Sequence, residues 1–159
     1  MSNLNQIEVN ALLEALDDEY HSWATYDQVI ADFGESPPFS NIREAEGRHI
    51  QALLRLFENY GLAIPENPWP GKVTRYASRQ EACEAAVAAE IANGEMYERL
   101  LEATQRPDML TVLRNLQEAS QQRHLPAFQR CVEQATDGGR GLGGRGLGGR
   151  RHRGGMGRT

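Results

Sequence analysis

Between Tyr60 and Ser78 the chain passes through Gly61, Pro65, Pro68, Pro70 and Gly71, a run that cannot be helical. On either side of it lie two stretches whose apolar residues recur at helical spacing. The first spans Val9 to Phe33 and stops at Gly34; its stripe is Leu12, Leu16, Tyr20, Trp23, Tyr26, Ile30 and Phe33. Pro37 and Pro38 break the chain. A second helix is expected from Ser40 or Asn41, either a good N-cap, to Tyr60, with Gly61 past its end. A third opens at Ser78, with Glu81 three residues on as in a capping box, and runs to about Thr104. Pro107 suits the first turn of a fourth, which continues to about Ala135.

Two short connections flanking one long one constrain the topology. An up-down-up-down bundle would have three short loops, whereas two helical hairpins joined by one long crossover is the ferritin-like arrangement. The expected fold is therefore all-α, a ferritin-like four-helix bundle over 1–137. Residues 138–159 are a separate object. They repeat the unit Gly-Gly-Arg-Gly-Leu and hold six Arg and no acid, so all 22 acidic residues lie in the body. Glycine at this density cannot offset the entropy of ordering, and a disordered Arg/Gly-rich tail is expected. Such a tail could bind nucleic acid through phosphate, dock on an acidic protein surface such as a compartment interior, or simply stay solvated.

What else the sequence carries is largely exclusion. No basic start precedes an apolar run, and no stretch approaches the roughly 20 apolar residues of a membrane span. A cytoplasmic protein without membrane contact is expected, and association with copies of itself. Two cysteines, Cys83 and Cys131, do not make a disulfide framework. They fall toward the same end of the bundle and read as small core residues, a redox pair being the alternative.

The functional signal is in residues that interrupt the apolar stripes. Glu19 lies on the inner face of the first helix, Glu46 and His49 on that of the second, Glu90 on the third, and Gln121 and His124 on the fourth. Buried, unpaired carboxylates are costly and repel one another; a divalent cation removes both problems. Glu46 and His49, three residues apart, share a helix face and can ligate one centre. A faint repeat supports the same grouping: Glu19 and Glu90 are each followed seven residues later by a tyrosine, Tyr26 and Tyr97. The segment from Glu46 to His49 is matched by Gln121 to His124. One Glu from each of two helices with Glu-x-x-His from the other two is how carboxylate-bridged dinuclear sites are built. Gln121 departs from that pattern, leaving three carboxylates and room for one metal or an asymmetric pair. Glu118, six residues before His124, is about 120° off its face and could join only through a local distortion, which Pro126 invites. Tyr26 and Tyr97 are expected as core tyrosines with satisfied hydroxyls, or as hydrogen-bonding or redox residues beside the metal.

Several of these residues carry a resemblance. Asn41-Ile42 with Ala45-Glu46 and His49, then Tyr60-Gly61-Leu62, and later Ser120, His124-Leu125 and Ala127-Phe128 resemble rubrerythrin-type ferritin-like proteins. They are closer still to a bacterial and archaeal ferritin-like family of unknown function. The resemblance covers roughly residues 10–134 and implies a four-helix bundle that binds metal, with no established reaction. Carboxylate and imidazole ligands suit iron, mono- or dinuclear, or manganese. The expected function is a non-haem metal-binding protein with redox chemistry, either ferrous oxidation or peroxide reduction, in which Glu46 bridges and no catalytic residue is named. The alternatives are metal sequestration or delivery without turnover, and a nucleic-acid-associated protector anchored by the tail. No Cys-x-x-Cys pair is present, so a peroxidase would draw its electrons from elsewhere.

Overall fold

In a computed structural model of the protein, residues 3–134 are described. They form four helices and, among the described residues, no strand: α1 (Gln6–Phe33), α2 (Phe39–Asn59), α3 (Arg79–Leu100) and α4 (Pro107–Glu118). Helix α3 ends in a 3-10 turn, Leu101–Ala103. Helix α4 passes into a π-helical segment, Ala119–His124, and resumes as α-helix over 125–134. The Gly/Arg-rich segment 138–159 lies outside the described residues, as do the expectations that rest on it. No described helix is long and apolar enough to cross a membrane.

The ends follow local chemistry. Helix α1 starts at Gln6, three residues before the expected Val9, because Asn5 and Glu8 form a reciprocal capping box. The buried Glu8 carboxylate also accepts from Thr104 Oγ1 at 2.7 Å and Arg106 Nε at 3.0 Å, fastening α1 to the turn before α4. Ser78 caps α3 as its spacing predicts, and Pro107 stands in the first turn of α4. The cap expected at Ser40 or Asn41 is not used. Helix α2 begins at Phe39, directly after Pro38 and with no side-chain cap, because Phe39 is drawn into the core.

Each helix runs antiparallel to both neighbours. Asp27 meets Arg43 as Glu19 meets His49 across α1 and α2; Glu14 meets Arg99 as Asp18 meets Asn93 across α1 and α3. The fourth helix faces α2 and α3 in the same sense, with Tyr60 bonded to Asp108 and Gln117 to Glu98. Helices α2 and α3 are therefore parallel, and residues 60–78 must traverse the bundle lengthwise. They do so along α1: the Pro65 carbonyl accepts from Tyr20, Trp69 donates to Asp17, and Arg75 pairs with Asp32.

The apolar core is in two parts. One gathers Leu12, Leu16, Leu53, Phe57, Tyr97 and Leu113 with their neighbours. The other gathers Tyr26, Val29, Phe39, Ile42, Cys83, Phe128 and Cys131 at the opposite end. Between them lies a buried polar layer that includes Glu19, Glu46, Glu90 and His124.

Leu53 is fully buried whereas Ile91 is 45% exposed. Leu53→Ala is expected to lower unfolding free energy by about 2–5 kcal/mol in denaturant melts, against roughly 0.5 kcal/mol or less for Ile91→Ala.

Candidate metal centre

Four helices each send a polar side chain into the layer between the two apolar clusters. Glu19 comes from α1, Glu46 and His49 from α2, Glu90 from α3, and Ser120 and His124 from the π-helical segment. Glu19, Glu46 and Glu90 are each 2% exposed and His124 4%. His49 is the most open, at 15% of its side chain.

The imidazole of His49 lies between two carboxylates, with Nδ1 2.9 Å from Glu19 Oε1 and 2.9 Å from Glu46 Oε1. Burial opposes a charge on this ring, but the two hydrogen bonds and the two carboxylate charges outweigh it and push its pKa up to about 9. Burial, and then the charge of Glu19, push the Glu46 carboxyl well above the usual carboxylate range; the His49 bond works against this and Glu90 adds to it. Glu90 is held by neutral donors. Tyr26 Oη donates to its Oε2 at 2.7 Å and Ser120 Oγ to its Oε1 at 2.7 Å.

His124 is different. Its Nδ1 is buried and makes no hydrogen bond, although Glu46 Oε1 lies 3.8 Å away and Glu90 Oε1 3.6 Å away. Both separations are beyond hydrogen-bonding distance. Its ring stacks on that of His49, centroids 5.5 Å apart. Glu46, His49 and His124 each offer one ligand atom, all within 4.8 Å of one another. An orphaned imidazole nitrogen facing two buried carboxylates is the arrangement a cation would complete, and the donor set of oxygen and imidazole fits iron, manganese or zinc.

Five of the six sequence-read positions thus converge: Glu19, Glu46, His49, Glu90 and His124. Gln121 does not enter the layer. Its Nε2 donates to the Glu90 backbone carbonyl at 2.8 Å and to Ser120 Oγ at 3.0 Å, and the side chain lies against Gly94, where a Cβ would collide with it. The reason is the π turn. In a regular helix residue 121 would share the face of His124, but the wider turn brings residue 120 onto that face instead. Pro126 has no N–H to give the carbonyl of residue 122, and the preceding amide, on Leu125, bonds Ser120 O five residues back. The distortion recruits Ser120 and leaves Glu118 exposed.

Sequence reasoning also missed three partners. Ser120 is concealed by register alone. Asn93 is three residues after Glu90, the same spacing as Glu46 to His49, and donates to Asp18. Asp18 is half-buried, and burial together with the charges of Glu19 and Glu90 raises its pKa to about 7 despite the Asn93 bond. Of the tyrosines, Tyr26 bonds a carboxylate of the layer, whereas the buried Tyr97 hydroxyl has no hydrogen-bond partner. His21 is exposed, edge-on to Trp69.

No family model matches the sequence, and no curated protein matches it. Among solved structures, the chain is similar to the crystal structure of a hypothetical protein of Methanococcus jannaschii DSM 2661. The two share 20% identity and a TM-score of 0.73 over 86% of this chain and 85% of the other. That likeness is one of fold.

The position of Gln121 generates a prediction. Gln121→Glu removes the donor to Glu90 O and sets a carboxylate against a carbonyl, so it is expected to destabilise the protein by about 1–3 kcal/mol. It is expected to add no metal per chain. Calorimetry with metal analysis checks both, and an extra ion bound by the variant would mean that residue 121 reaches the layer.

Proposed function

We propose that the bundle is a ferritin-like metalloprotein that holds a divalent cation, iron by preference, at Glu46, His49 and His124, with Glu19 and Glu90 completing the cage. The observation that carries this reading is the unpartnered Nδ1 of buried His124, directed at two buried carboxylates. A buried polar atom left unbonded costs about 1–3 kcal/mol, and three clustered carboxylates add repulsion. A cation offsets both.

An iron ion there would supply one-electron redox chemistry toward oxygen or peroxide. The protein's own part is to bind, to orient and to keep water out. Glu46, between His49 and His124, is suited to bridge or to exchange ligands. Tyr26 and Ser120 hold Glu90 in one orientation. His49, set between Glu19 and Glu46 and the least buried member, can release its proton when a cation enters.

Sequestration or delivery of metal without turnover is the second reading. It draws on Ser120, which stands where a fourth carboxylate would complete a dinuclear site.

Anaerobic loading with ferrous iron tests the proposal. Wild type is expected to retain iron and Glu46→Ala/His49→Ala to retain none, both remaining folded by circular dichroism. New absorbance after exposure to oxygen or peroxide would favour turnover over storage. If neither protein holds iron, manganese or zinc, the metal reading is wrong.

The pH dependence follows from His49. Its proton is bound up to about pH 9, and a cation must displace it. Apparent affinity should therefore rise with pH, by up to about tenfold per unit for one displaced proton, and this contribution should level off above about 9. Competition with a chelator of known affinity measures the slope. A flat profile would mean that His49 is not a ligand.

A further inference from the structure

Cys83 and Cys131, read from the sequence as small core residues with a redox pair as the alternative, form a disulfide between α3 and the last turns of the fourth helix, with Cα atoms 5.9 Å apart. Its placement relative to the polar layer is specific. Cys83 is seven residues before Glu90, and Cys131 seven after His124. Seven residues are close to two turns, so each sulfur lies on the same face as its helix's member of the layer, about 10.5 Å away along the axis.

The space between is filled by aromatic rings. Tyr26, Phe39 and Phe128 pack together, with Tyr26–Phe128 centroids 5.2 Å apart and Phe39–Phe128 centroids 5.1 Å apart. At one end the Tyr26 hydroxyl donates to Glu90. At the other, Phe128 stands one turn before Cys131. A line of side chains in one buried cluster thus joins Glu90 to the sulfurs.

The sulfurs also have the surroundings of reactive cysteines. Arg79 Nη1 donates to Cys131 Sγ at 3.5 Å. A guanidinium there stabilises the thiolate once the bond is reduced, which separates reactive cysteines from inert ones. A surface groove of about 460 Å³, lined by Glu84, Val87, Gln129, Val132 and Glu133, runs between the same two helices and borders both cysteines in sequence. A disulfide serving only as a staple needs neither the cation nor the ring line.

We propose that Cys83 and Cys131 are a two-electron store for the metal centre: as thiols they supply the electrons that reduce a peroxide at the polar layer, and the disulfide is their spent form. The inference rests on the metal-binding reading. The balance closes. Two thiols lose two electrons and two protons and form the S–S bond; hydrogen peroxide takes up both pairs, its O–O bond breaks, and two waters leave. Regeneration requires a local opening of the two helices beside the groove, through which an external dithiol attacks a sulfur, restores the thiols and becomes a disulfide itself. Direct attack of peroxide on the sulfurs is hindered, because Cys83 is 0% and Cys131 1% exposed. Oxidation of the pair should therefore depend on the metal.

The test uses the full chain, reduced with dithiothreitol, freed of reductant, and divided into metal-free and ferrous-loaded samples beside Glu46→Ala/His49→Ala. Each receives a small molar excess of hydrogen peroxide, is quenched in acid and alkylated under denaturing conditions, and its thiols are counted by mass spectrometry. Loaded wild type is expected to lose both thiols as an intramolecular disulfide roughly tenfold faster, or more, than the metal-free protein or the variant. Phe128→Leu, which thins the ring line without touching a bond of the polar layer, should keep its iron and slow the loss. Equal rates with and without bound iron would overturn the store and leave the metal site standing. A disulfide that dithiothreitol opens only in unfolded protein would overturn it too, making the bond a staple. If wild type holds no iron, the store falls, and the metal reading falls with it when manganese and zinc are refused as well.

Discussion

Three carboxylates buried at one level of a helical bundle are the constraint on which the rest of this structure depends. Glu19, Glu46 and Glu90 are almost without solvent, and a bare carboxylate in such a place would be neutralised or expelled. The bundle keeps them by giving each a different answer. Glu19 and Glu46 share the ring of His49. Glu90 accepts from Tyr26 and Ser120. His124 remains without a hydrogen bond at the edge of the group. The apolar core divides around this layer because nothing apolar could stand there without stranding these groups.

Holding the layer together requires the helices to keep their relative heights, and the connections do that. The long segment 60–78 is bonded along α1 from Asp17 to Asp32. Helix α1 is in turn tied at its start, where Glu8 meets Thr104 and Arg106. At the far end the Cys83–Cys131 bond fixes α3 against the fourth helix. Glu90 and His124 are thus bracketed on two helices by a covalent link at one end and by packed leucines at the other.

Much of this was legible in the sequence, and the reason differs from residue to residue. The helices were readable because apolar residues recur at their period and because Ser78, Pro107 and Gly34 carry local end signals. Glu19, Glu46, His49, Glu90 and His124 were readable because each breaks an apolar stripe at a position that must face inward. Gln121 was misplaced for one reason: the reading assumed a regular helix, and whether residue 120 or 121 faces inward depends on one wide turn. Pro126 hinted at a distortion but could not say which residue it would favour. That the two cysteines share one end of the bundle was legible from the antiparallel helices, and a redox pair was open; the bond itself depends on the exact height of one helix against another, which no periodicity encodes. The helix start at Phe39 failed for a related reason, since tertiary burial outweighed a good cap.

The asymmetry of the layer bears on how many ions it would hold. Had the fourth helix been regular and carried Glu at 121, two halves would have matched about a twofold axis, and four carboxylates would balance two divalent cations. Here one half offers Glu46 and His49, and the other Ser120 and His124. Three carboxylates balance one divalent cation and one proton. Without a cation the proton sits with His49, whose bonds to Glu19 and Glu46 hold it to about pH 9; a cation that takes this ring as a ligand passes the proton to the buried carboxylates. A second divalent ion would leave an excess positive charge in a region that water scarcely reaches, and the low polarisability of the two apolar clusters makes that charge costly. On the proposed metal-binding reading, one cation and one proton bring the layer to neutrality, whereas two cations would need an added anion.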